Sequence, residues 1–88
     1  MSVSLYDAKY EELRSLLRSL RLEAGLTQAQ LASALRVGQS YISKIERGEN
    51  FLDVLLFASW CSACGVKAGS TLDKFLGTKI RQTPVRAH

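Results

Sequence analysis

Leu26-Thr27-Gln28-Ala29-Gln30-Leu31-Ala32-Ser33-Ala34-Leu35-Arg36-Val37-Gly38-Gln39-Ser40-Tyr41-Ile42-Ser43-Lys44-Ile45-Glu46-Arg47-Gly48-Glu49 is the stretch on which the fold turns. It holds two short segments of helical spacing around a break. Thr27 is a good N-cap, and Gln30 three residues on completes a capping box. A helix is expected over residues 28–35, with Leu31, Ala32 and Leu35 on its buried side. Arg36-Val37-Gly38 reads as a tight break. The next helix is expected over residues 39–47, with Tyr41 or Ile42 and Ile45 turned inward, and Gly48 stops it. Helices of about two turns do not persist alone in water. The pair must pack together and against neighbours.

Those neighbours lie on both sides. Upstream, Tyr6, Tyr10, Leu13, Leu17, Leu20 and Ala24 recur at spacings of four and three, which places them on one helix face over residues 5–24. Ser4 and Asp7 suit its start, and Gly25 its stop. Downstream, residues 52–64 are apolar on most faces, as in a helix that is central or lies at an interface. A short fifth helix over residues 70–76 carries Leu72, Phe75 and Leu76. The sequence has six Gly and one Pro in 88 residues, which favours a few helices over many strands. The expected fold is all-α, a compact five-helix bundle in one domain of residues 1–77. Residues 78–88, with Lys79, Arg81 and Arg86, form a basic tail expected to be mobile.

Twelve Lys and Arg against eight Asp and Glu leave a formal charge of +4, compatible with a polyanionic partner but too small to establish one. No run reaches the ~18 apolar residues of a membrane span, and Met1-Ser2-Val3-Ser4 lacks a signal peptide's basic start and apolar stretch. A cytoplasmic protein with no membrane partner is expected.

Two short helices joined by a tight turn have a physical use. The first lies across a DNA backbone and props the second so that its N-terminal residues reach base edges. The outward side of the second is Gln39, Ser40, Ser43, Lys44 and Arg47, with Tyr41 at its margin. Gln pairs bidentately with adenine, Lys reaches guanine, and Ser serves either. Taken alone, one polar helix face is more often plain solvated surface than a reading face, since protein surfaces are mostly polar.

Leu26-Thr27-Gln28-x-x-Leu31-Ala32, followed by Ser40-x-Ile42-Ser43-Lys44-Ile45-Glu46-Arg47-Gly48, strongly resembles the phage repressor/Cro (XRE) helix-turn-helix family. Leu17-Arg18-x-Leu20-Arg21-x-x-x-Gly25 is similar to that family's first helix. The resemblance implies a lambda-repressor-like five-helix domain that binds double-stranded operator DNA as a two-fold homodimer. It implies a phosphate contact for Gln28, base or phosphate contacts for Gln39, Ser40, Ser43 and Lys44, and backbone contacts for Arg47 and Asn50. It also implies a partly buried ion pair between Arg21 and Glu46; an ordinary exposed arginine is the other reading of Arg21. Arg36 stands where many members have Gly, so a positive φ there would cost roughly 1 kcal/mol, though its charge can lie near a phosphate. Gly38 stands where many have Ser or Thr. Stand-alone members act as phage repressors, restriction–modification controllers or antitoxins, so a repressor role and these alternatives all stay open. A protein-binding bundle with no DNA role is the remaining class.

Cys61-Ser62-Ala63-Cys64 has redox spacing but falls at the far end of its helix, where the dipole disfavours thiolate. Zinc needs four ligands, and the one His is His88. The two Cys read as packed thiols, with no metal and no cofactor. No Gly-rich phosphate loop and no Ser-His-Asp set supports catalysis. Trp60, Phe57, Phe75 and Leu76 exceed what a small core readily uses. Trp60, Phe75 and Leu76 are therefore candidates for a homodimer seam, with plain core packing as the alternative.

Overall fold

The computed structural model describes residues 7–77. They form five helices and, among the described residues, no strand: α1 (Ala8–Glu23), α2 (Gln28–Leu35), α3 (Gln39–Glu46), α4 (Val54–Ala63) and α5 (Ala68–Leu76). Ser4, Tyr6 and the basic tail of residues 78–88 lie outside the described residues.

Local chemistry sets the helix ends. The α1 helix begins three residues later than its apolar spacing suggests. Asp7 is the N-cap, its carboxylate accepting from the Lys9 N–H at 2.8 Å. At its other end Ala24 is the exposed C-cap residue rather than part of the buried face. The α2 capping box is complete: Thr27 Oγ1 accepts from the Gln30 N–H at 3.0 Å, and Gln30 Oε1 accepts from the Thr27 N–H at 2.9 Å. Asp53 caps α4, accepting from the Leu56 N–H at 2.8 Å, so that helix starts at Val54 and not at residue 52. The charge that interrupts the apolar run is its boundary. The α5 helix starts at Ala68, two residues earlier than its apolar pattern, without a side-chain cap.

The core joins four helices. Leu17 from α1, Leu31 and Ala32 from α2, Ile42 and Ile45 from α3, and Phe57, Trp60 and Cys61 from α4 are buried together. The α2 helix packs on both α3 and α4, α1 packs on α3, and α5 packs on α4. Trp60 is fully buried, and its indole N–H donates to the Leu17 carbonyl at 3.0 Å. That corrects its place in a dimer seam: the ring and its polar edge are both used inside one chain. Phe75 is half-buried beneath the Lys9 ammonium, 4.5 Å from the ring centroid, while Leu76 is exposed. The α4 helix is apolar on most faces but buries only one side, leaving Val54 and Leu55 70% and 76% exposed.

Loop α3–α4 is tied to α1 from two directions. The Tyr10 hydroxyl accepts from the Leu52 N–H at 2.9 Å, and the Tyr10 and Phe51 rings lie 5.0 Å apart. Gly48, at φ +82°, gives the guanidinium of Arg14 room: a Cβ there would stand 2.6 Å from Arg14 Cζ. Gly25, at φ +75°, has nothing within 4 Å of that position. Gly25→Ala is expected to cost about 1 kcal/mol through its left-handed backbone alone. Gly48→Ala should cost more, because Arg14 must also move. Equal losses in denaturant unfolding would show that the Arg14 contact carries no weight.

Candidate nucleic-acid interface

The site is built by holding α2 and α3 in one relative orientation. Arg21 on α1 forms a two-pronged bridge to Glu46 on α3: Nε to Oε2 at 2.7 Å and Nη2 to Oε1 at 3.0 Å. Its remaining Nη1 donates to the Leu26 carbonyl, in the loop before α2, at 2.9 Å. The side chains are only 8% and 4% exposed. The hydrogen bonds to Glu46 raise the pKa of Arg21 and outweigh the opposing effect of burial. Gln28, the first residue of α2, joins the same cluster, its amide donating to Glu46 Oε1 at 3.0 Å. One carboxylate thereby ties the end of α1, the start of α2 and the end of α3.

The turn between α2 and α3 is closed by backbone geometry. Arg36 adopts φ 60° and ψ 42°, the left-handed conformation that a glycine takes without strain. The N–H groups of Arg36 and Val37 bond to the carbonyls of Ser33 and Ala32 at 3.2 and 3.0 Å, which satisfies the end of α2. Gly38 then supplies an ordinary extended N-cap with no side-chain bond to α3.

With Ile42 and Ile45 turned into the core, helical spacing sends residues 39, 40, 43, 44 and 47 to the other side. Gln39, Ser40, Lys44 and Arg47 are exposed, while Ser43 and Tyr41 are half-buried. Arg36 is exposed at the turn, and Asn50 is half-buried just beyond α3. The N-terminus of α2 leaves main-chain N–H groups of its first turn without partners inside the helix, apart from that of Gln30, which Thr27 caps.

Two arrangements were not legible in the spacing. Gln28 turns its amide toward Glu46, so its main-chain N–H is the group already aimed out of the helix end. Arg47 is held by its neighbours: Nε and Nη2 donate to the Glu49 carboxylate at 3.0 and 3.2 Å, and Nη1 donates to Ser43 Oγ. The bonds from Arg47 keep the Glu49 carboxyl below its ordinary pKa. The pattern Arg-x-Glu is the only sequence signal for this pair.

The remaining candidates lie elsewhere. Cys61 is buried and Cys64 partly so, and burial pushes both thiols above their ordinary pKa. Both are poor nucleophiles in that state. Among the described residues, no three His, Cys, Asp or Glu side chains come together as a metal site. No helix among them is long and apolar enough to cross a membrane.

A short α2 packed across an α3 whose polar face is outward defines the class: this is a helix-turn-helix domain, the scaffold of many DNA-binding proteins. The chain belongs to the helix-turn-helix domain family, whose model matches residues 12–75, and within it to the XRE-like group. An XRE-family-like protein from Pseudomonas syringae pv. tomato superposes with a TM-score of 0.78 at 36% identity, over 84% of this chain and 90% of the other. The clp gene regulator ClgR from Corynebacterium glutamicum superposes in two crystal structures. One has a TM-score of 0.67 at 36% identity, over 84% of this chain and 96% of the other. The second has a TM-score of 0.69 at 37% identity, over 80% of this chain and 74% of the other. No curated protein sequence matches the chain.

Arg21→Met strands a buried carboxylate and is expected to cost about 3–5 kcal/mol in urea unfolding. Adding Glu46→Leu should restore most of that loss, since an apolar pair replaces the ion pair without leaving a lone charge. A double variant no more stable than Arg21→Met would mean that the cluster acts through something other than paired charge.

Proposed function

We propose that this chain is a DNA-binding transcriptional regulator that places α3 in the major groove of a pseudo-palindromic operator, as a homodimer in the cytoplasm. The observation that carries this reading is the division of α3 into two sides. Ile42 and Ile45 anchor it in the core, and Gln39, Ser40, Ser43 and Lys44 stand together on the other side. Base edges are read by Gln39, Ser40, Ser43 and Lys44, with Tyr41 at the margin. Backbone phosphates are met by Gln28, Arg36, Arg47 and Asn50 on either side.

Two copies related by a two-fold axis set their α3 helices about 34 Å apart, one turn of the duplex. Phe75 and Leu76 are the seam residues left after the burial of Trp60, and Leu76 is 49% exposed. A compact regulator of this kind acts as a repressor by occupying its site. The antitoxin and restriction–modification controller roles use the same binding mode.

Selection of bound sequences from a random duplex pool tests the reading. A symmetric motif with half-sites about one turn apart is expected, with affinity falling steeply as salt rises. Lys44→Ala should relax the preference at one base position in each half-site, at a cost of about 1–3 kcal/mol. A purified chain that ignores every duplex at low ionic strength would overturn the reading.

Arg36→Gly should separate stability from binding. It relieves the left-handed backbone and is expected to raise folding stability by up to about 1 kcal/mol. The loss of a cation beside a phosphate should weaken DNA binding in the same variant. A variant that binds DNA with undiminished affinity would remove Arg36 from the interface.

A further inference from the structure

A guanidinium carries five N–H groups, and in Arg47 three of them are committed inside the chain. Nε and Nη2 donate to the Glu49 carboxylate at 3.0 and 3.2 Å, and Nη1 donates to Ser43 Oγ. We propose that Arg47, held by Glu49, is a positioning residue that fixes the direction of hydrogen bonding at Ser43. The Ser43 hydroxyl then donates to the N7 of a purine in the major groove rather than accepting from the amino group of an adenine or cytosine. This rests on the DNA-binding reading above and names what one of its side chains recognises.

The backbone builds the arrangement. The chain leaves α3 through a turn in which the Gly48 N–H bonds to the Ile45 carbonyl at 3.1 Å and the Glu49 N–H to the Lys44 carbonyl at 2.8 Å. That helix ending needs a left-handed residue, and Gly48 supplies it at φ +82°. The turn folds Glu49 back beside the last turn of α3, where its carboxylate meets Arg47. Ser43 and Arg47 are four residues apart, so their side chains meet on one helix face. A chain of hydrogen bonds thus runs from carboxylate to guanidinium to hydroxyl along the side of α3 away from the core. The bonds from Arg47, with the charge of Lys44, keep Glu49 ionised. Arg47 and Glu49 are both about half exposed, so the pair adds little stability. Its consequence is directional.

Hydrogen-bond bookkeeping sets what Ser43 can offer. A serine hydroxyl has one proton and two lone pairs. A cationic donor already occupies the Ser43 oxygen, and charge-assisted bonds of that kind are the stronger ones. The proton has no acceptor within the chain: among the described residues, the hydroxyl makes no other hydrogen bond. It does not bond back to the Gln39 carbonyl, as a helical serine can. A base amino group would have to crowd an oxygen that the guanidinium holds. A base acceptor meets a free proton. Purine N7 is the acceptor that every base pair presents in the major groove. Arg47 keeps one N–H on each terminal nitrogen for a phosphate, so its contact with the DNA backbone and its hold on Ser43 are compatible.

The test uses the full chain. Selection from the random pool with wild type and Ser43→Ala identifies the base pair whose preference Ser43 sets. A purine is expected there, with guanine and adenine both accepted. Two duplexes are then compared: the selected one, and the same duplex with the 7-deaza analogue of that purine, which lacks the N7 acceptor. Wild type should bind the 7-deaza duplex roughly fivefold more weakly, the worth of about one hydrogen bond. Ser43→Ala should bind the two alike. Arg47→Met should lose affinity for both, and the ratio between them should fall below about twofold. Glu49→Ala, which leaves every proposed DNA contact in place, should also lower the ratio. An Arg47 that only bound phosphate would weaken both duplexes and leave the ratio untouched. Each ratio compares two duplexes on one variant, so a change in folded fraction cancels.

A Ser43→Ala selection identical to that of wild type would overturn the assignment. So would equal wild-type binding of the two duplexes, or a loss on removing the amino group of an adenine or cytosine there instead. If Lys44→Ala still relaxes its own base position in those cases, the groove-reading assignment stands. A ratio unchanged in Arg47→Met would overturn the positioning role. A wild-type chain that binds no duplex would remove both readings.

Discussion

The Glu46 carboxylate is the point on which the motif depends. It receives two bonds from Arg21 and one from Gln28, and Arg21 spends its last prong on the Leu26 carbonyl. Three helices and the loop between two of them therefore share one small, nearly dry cluster. A buried ion pair of this kind need not add stability relative to apolar residues, because removing charges from water is costly. What it adds is geometric: planar guanidinium and carboxylate groups bond well in only one mutual orientation. A helix of eight residues cannot stand by itself in water. The orientation of α3 must come from its surroundings, and Glu46 sits at its last turn.

The rest of the molecule supports that orientation by other means. Ile42 and Ile45 are fully buried beside Leu17, Leu31 and Trp60, so the inner side of α3 is fixed by close packing. The Trp60 indole extends this to the main chain of α1 through the Leu17 carbonyl. Tyr10, at the start of α1, holds the segment leaving α3 by its hydroxyl and its ring. The C-terminal end and the inner face of α3 are thus constrained, while Gln39, Ser40 and Lys44 stay in solvent. Side chains that search for partners from a rigid base lose less freedom on binding than those on a mobile one.

The turn carries the visible strain. Arg36 sits at φ 60°, the only non-glycine residue with positive φ among the described residues. A long cationic side chain in a conformation better suited to glycine is a local conflict, and such conflicts collect where function is served. Its place beside the proposed DNA backbone gives the charge a use that glycine lacks. Cys61 and Cys64 show the opposite case. A spacing associated with reactivity is filled by shielded thiols, because their helix delivers them into the core.

What was legible in the sequence was local. The Thr27–Gln30 capping box, the break at Arg36-Val37-Gly38, the stop at Gly48, and the inward turn of Leu31 and Ile45 each follow from residues a few positions apart, while the choice between Tyr41 and Ile42 was left to the folded core. The polar side of α3 then follows from helical geometry. Tertiary structure decided what depends on distant partners. Glu46 is 18 residues from Gln28 and 25 from Arg21, and Trp60 is 43 from Leu17. The resemblance implied the Arg21–Glu46 pair, but no spacing announced that Gln28 would join it. Nor did any pattern say that Trp60 would be consumed inside the chain or that Arg14 would fit over Gly48. Caps and periodicity are set by the backbone's own hydrogen bonds over one turn of helix. Which side chains meet across helices depends on how the whole core closes, and only the folded chain settles that.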